Sequence, residues 1–75
     1  MRLIAVNQNR MYLLTDGWKP SQEIKAGTPL KIAGAKREFA VAMPATASVD
    51  GVANLYIRGS VKVSDFVKEG AEIAT

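Results

Sequence analysis

Apolar and polar residues alternate over short runs, and turn-forming residues interrupt those runs every eight to twelve positions. Glu38–Met43 is the cleanest case, setting Phe39, Val41 and Met43 against Glu38, Ala40 and Ala42. Such a period of two places alternate side chains on opposite faces of a strand. Leu30–Ala33 and Ala53–Arg58 follow the same rule, with Leu30, Ile32, Leu55 and Ile57 on the apolar faces. Arg2–Val6 and Arg10–Thr15 flank a polar turn and predict a hairpin or a partner-contacting arm over residues 1–15. Val61 and Val63 flank Lys62 in a further strand, and Ala71–Ala74 is expected to close a sheet edge. Regular short strands between turn signals predict a mainly β fold, a small antiparallel β-sandwich or barrel-like domain spanning residues 1–75.

One segment departs from this pattern. Ser64–Gly70 opens with a capping residue, carries Asp65 in its first turn and ends on glycine. These signals predict a short helical turn near Ser64–Glu69 with Phe66 and Val67 turned inward. The expected core is therefore Leu30, Ile32, Phe39, Val41, Leu55, Ile57, Val61, Val63 and Phe66.

Two stretches read as contact surfaces. Leu3, Ile4 and Val6 form an apolar edge in which Arg2 is the lone charge, and such an edge is an aggregation hazard unless something covers it. It is expected to pair with another chain. Pro44 ends the strand before it, since proline donates no ladder hydrogen bond. The compact residues that follow, Pro44, Ala45, Thr46, Ala47 and Ser48, suit either an exposed loop or a close-packed contact.

Composition narrows the chemistry. The chain has 75 residues with no Cys and no His, which removes disulfides, thiolate and imidazole metal sites, and His-based catalytic triads. The seven carboxylates are scattered, and no glycine loop carries a phosphate-binding pattern. A non-enzymatic protein without cofactor, metal or small-molecule substrate is expected. A domain this small buries only about 60–65% of its unfolded surface, so association with neighbours is a natural source of stability. No run approaches the ~20 apolar residues of a membrane span, and the N-terminus lacks the apolar stretch of a signal peptide.

The net charge of +3 is dispersed; only Lys36 and Arg37 are adjacent cations. A nucleic-acid footprint is normally clustered. The alternative worth carrying is a small barrel that stacks bases on Tyr56, with Arg58 on the same strand face and Lys62 nearby; Trp18 sits beside Lys19 in a turn.

Residues 26–69 resemble the capsid head-decoration proteins of lambda-like tailed phages. The resemblance lies in Gly27-Thr28-Pro29-Leu30, the basic turn Lys36-Arg37, the run Phe39–Met43, and the long segment from Ala53 through Gly59 to Val67. That family carries a flexible N-terminal arm rich in Ser, Thr and Gly where this chain is apolar, and a Gly with an aliphatic pair where this chain has Met43-Pro44. The resemblance implies a homotrimer on the outer capsid surface of a virion, bound to the major capsid protein and stabilising it. On that reading Arg2, Leu3, Ile4 and Val6 contact the capsid, and Pro44, Ala45, Thr46, Ala47 and Ser48 contact the capsid or a second copy.

Overall fold

A computed structural model describes residues 1–75, and its first reversal is made by Asn7. The carboxamide oxygen of Asn7 accepts the backbone N–H groups of Met11 and Tyr12, each at 3.0 Å. This turn joins β1 (Arg2–Val6) to β2 (Tyr12–Asp16) as the expected antiparallel hairpin. Arg10 lies in the turn at φ 59° rather than opening the second strand. The remaining strands are β3 (Glu23–Ile24), β4 (Pro29–Ile32), β5 (Phe39–Ala40), β6 (Ala45–Thr46), β7 (Ala53–Tyr56) and β8 (Ile73–Ala74).

Pairing closes on itself. β1 pairs with β2 and β2 with β7 in one sheet; β5 pairs with β4 and β4 with β8 in another. Two antiparallel bridges join these sheets, Val41 to Ile57 on one side and Arg2 to Glu72 on the other. The six strands thus form a closed antiparallel ring, the arrangement that removes free sheet edges. β3 and β6 pair separately as a short ribbon, with Glu23 opposite Thr46 and Ile24 opposite Ala45.

Closure corrects the reading of the N-terminus. The Leu3 N–H donates to the Ala71 carbonyl at 2.9 Å, and the Leu3 carbonyl accepts the Gly70 N–H at 2.7 Å. The Ile73 N–H donates to Met1 at 2.8 Å. The chain covers this stretch of the β1 edge with its own C-terminal segment, and Leu3 is wholly buried in the core. Residues 1–6 are a strand of the ring rather than an arm.

One core runs through the ring and the ribbon. Leu30, Ile32, Phe39, Val41, Leu55, Ile57 and Val61 are buried as expected, joined by Leu3, Leu13, Trp18, Ile24, Ala47, Ala53 and Ile73. Burying one such Leu or Phe side chain contributes about 1.5–3 kcal/mol. Trp18 is held by its indole N–H, which donates to the Thr15 hydroxyl at 2.8 Å; that hydroxyl donates in turn to the Ala53 carbonyl at 2.8 Å. Both polar groups are buried and both are satisfied.

Several local expectations fail, each for a physical reason. The strand expected over Glu38–Met43 shortens to Phe39–Ala40 plus the Val41 bridge, because the chain turns away at Met43-Pro44 and leaves Met43 exposed. Ala45–Thr46, inside the expected loop, is β6, and Ala47 is buried against the core. No strand forms at Val61–Val63. Val61 is buried with its N–H on the Arg10 carbonyl, whereas Val63 opens a 3-10 turn over Val63–Asp65 and is 82% exposed. That turn stops sooner than the expected Ser64–Glu69, since Phe66 adopts the left-handed conformation at φ 59°. Its ring consequently points outward and only Val67 packs inward.

Candidate functional site

The register of the β1–β2–β7 sheet sorts its side chains into two faces. Leu3, Leu13, Thr15, Ala53 and Leu55 fill the barrel, so Tyr12, Leu14, Asn54 and Tyr56 stand on the outside. A bulge at Ile4 shifts the β1 register, with Leu3 opposite Thr15 but Ala5 opposite Leu14. Ile4, Ala5 and Leu14 are half-buried and take no part in the core. Tyr12 and Tyr56 are directly opposed, with ring centroids 4.8 Å apart and planes tilted by 37°. Such an offset pair is favourable by about 0.5–1.5 kcal/mol beyond area burial and fixes both rings on the surface.

Charge frames this face rather than covering it. At one end the Arg2 guanidinium donates to Asp16 through Nε at 3.3 Å and Nη2 at 2.8 Å. Asp16, chiefly by this hydrogen bond, raises Arg2 above its usual value. At the other end Arg58 continues the outward series beyond Tyr56, exposed and anchored by its backbone N–H on the Ala40 carbonyl. The Tyr56 carbonyl accepts the Ala42 N–H, which brings exposed Ala42 alongside. The face is mostly apolar and aromatic, with exposed Asn54 among its residues, one unpaired cation in Arg58, and no unpaired acid among them.

The sequence-derived residues separate on this frame. Ile4 lies on the outer face, Arg2 at its paired end, Leu3 in the core, and Val6 half-buried against the core. Tyr56 and Arg58 come together as expected. Lys62 is exposed at the head of the 3-10 turn, where its backbone N–H donates to the Asp65 carboxylate at 2.7 Å. Trp18 is 5% exposed and unavailable for stacking. Of the compact stretch, Pro44, Thr46 and Ser48 are exposed, Ala45 is half-buried and Ala47 is buried.

Tyr12 and Leu14 are the residues that sequence reasoning overlooked. Their signal was the alternation of β2, in which Leu13 and Thr15 point inward and force Tyr12 and Leu14 out. Comparison of the chain with protein-family models, curated proteins and solved structures returns no match.

Proposed function

We propose that the chain is a non-enzymatic contact protein of the capsid-decoration kind, which docks on the major capsid protein through the outer face of β1, β2 and β7. The observation that carries this reading is the Tyr12–Tyr56 pair standing on an exposed sheet face beside Ile4 and Leu14. Tyrosine is enriched at the centres of protein interfaces, where a rigid ring brings large contact area at low entropic cost. The resemblance over residues 26–69 supplies the capsid as partner.

Size bears on stoichiometry. Three strands about 4.8 Å apart and about five residues long at ~3.3 Å each give a face on the order of 200 Å². A stable interface uses about 800 Å² per partner, so one copy binds weakly through this face alone. A homotrimer presenting three such faces to a repeating lattice gains avidity without new contacts. Exposed Pro44, Thr46 and Ser48 are the proposed contacts between copies.

Cosedimentation with phage heads of the lambda-like type tests this, with sedimentation equilibrium of the free chain alongside. Binding should fall about tenfold or more on removing both rings in Tyr12→Ala with Tyr56→Ala. Undiminished decoration by that variant, with its fold intact by circular dichroism, would overturn the assignment.

Arg58 beside the paired rings favours one second reading, a stacking platform for single-stranded nucleic acid. Binding of an oligothymidylate that weakens steeply with added salt would select it over the first.

A further inference from the structure

The barrel carries a second aromatic surface, built around Phe66. This residue is 48% exposed and occupies the left-handed region, where a β-carbon is strained. All six glycines of the chain sit at positive φ, yet this position holds an aromatic instead. The Lys36 ammonium lies 4.4 Å from the Phe66 ring centroid. An exposed cation–π contact is worth no more than the left-handed backbone costs, so it does not by itself account for the ring.

The surroundings are basic and firmly held. Arg37 donates to Asp65 through Nε at 2.9 Å and Nη2 at 3.1 Å, stacks over Phe39 at 4.1 Å and donates to the Ser60 carbonyl. The Lys36 backbone N–H donates to the Asp65 carbonyl at 3.1 Å, tying the basic turn to the residue just before strained Phe66. Beside it lies a shallow depression of about 290 Å³ lined by Lys31, Ile32, Ala35, Lys36, Arg37 and Glu38. Asp65 is fully occupied by Arg37 and Lys62, and Lys31, Lys36 and Lys62 enter no ion pair.

We infer that this corner is a docking site for an acidic protein segment that places an apolar side chain against Phe66 and carboxylates against Lys31 and Lys36. With Arg37 and Asp65 cancelling, Lys31 and Lys36 outweigh the exposed Glu38. The charge balance thus selects an anionic partner, and the exposed Phe66 ring selects an amphipathic one. A single ring with a lysine already on one face offers no run of stacking positions, which disfavours a nucleic-acid strand. This site is separate from the tyrosine face and does not depend on the reading given to it.

The test is an NMR titration of the full chain with a short peptide alternating glutamate and leucine. A glutamine–leucine peptide and an oligothymidylate serve as comparisons. The glutamate peptide should move the amide signals of Ala35, Lys36 and Phe66 and leave those of Tyr12 and Tyr56 in place. Phe66→Gly suits the backbone conformation and should fold, yet weaken binding about tenfold, as loss of an aromatic anchor does. Lys36→Gln should weaken it several-fold, and Lys25→Gln, at an exposed lysine between β3 and β4, should leave it unchanged. Equal affinity for the glutamine peptide, tighter binding of the oligothymidylate, or full affinity in Phe66→Gly would each overturn the proposal.

Discussion

Arg37 grips Asp65 through two parallel hydrogen bonds, and the same carboxylate caps the turn by accepting the Lys62 N–H. One nearly buried acid thereby fastens the basic turn to the 3-10 turn and closes that turn at its head.

This arrangement has a defined pH signature. Hydrogen bonding from Arg37, then from the Lys62 backbone, holds Asp65 below its ordinary value of 3.8. A carboxylate with a depressed folded-state value contributes stability that is complete above its unfolded value and is lost as pH falls through the folded one. Asp65→Asn should therefore be less stable than the parent at neutral pH, and the gap should close as pH drops below the ordinary carboxylate range. Thermal unfolding of both proteins across that range checks it; a constant gap would show that the charge is not what matters.

The Thr15 hydroxyl links Trp18 to Ala53. Thr15→Val keeps the shape but leaves the buried indole N–H without an acceptor, a loss of about 1–3 kcal/mol. Thr15→Ser keeps the hydroxyl and should retain most of that. Urea denaturation midpoints separate the two; equal midpoints would mean the hydrogen bond contributes little.

Gly51 and Gly34 both lie at positive φ, but only Gly51 is crowded. A β-carbon there would stand 2.6 Å from the Trp18 carbonyl oxygen, whereas nothing lies within 4 Å at Gly34. Gly34→Ala should cost about 1–2 kcal/mol from backbone strain alone. Gly51→Ala should cost clearly more, since the clash is with backbone. Paired denaturant titrations check the ordering.

Leu3 is fully buried, so Leu3→Ala should cost about 2–5 kcal/mol through the cavity it leaves. Removing residues 1–6 altogether should unfold the domain, as it strips a ring strand and exposes β2. A truncated chain that keeps its β-sheet dichroism and cooperative melt would show that the ring tolerates opening.

Where two-residue alternation ran into a buried face, the sequence was readable. Leu30, Ile32, Phe39, Val41, Leu55 and Ile57 are inside because their polar neighbours must be outside. Val63 and Phe66 broke the pattern through backbone geometry: the 3-10 turn and the left-handed residue that ends it rotate both side chains outward, and hydropathy does not encode that rotation. Trp18 and Ala47 were hidden for another reason. Each is placed by a long-range partner, Trp18 by the Gly51 carbonyl and Ala47 by the Gln22 carbonyl, and no local pattern announces such a meeting. The tyrosine face was half legible. Tyr56 and Arg58 stood out on one strand, but Tyr12 became visible only once the register set it opposite Tyr56.

The ring of strands also has no intrinsic beginning. The Met1 amine lies 3.5 Å from the Ile73 carbonyl, so the two ends of the described chain meet on the surface. Connectivity at that point supplies none of the ladder hydrogen bonds. A short linker joining Thr75 to Met1, with the chain reopened beside Val49 (87% exposed), would preserve every strand neighbour. Circular permutation is accordingly open to this barrel, and a fusion partner attached at either end would leave from the same patch of its surface.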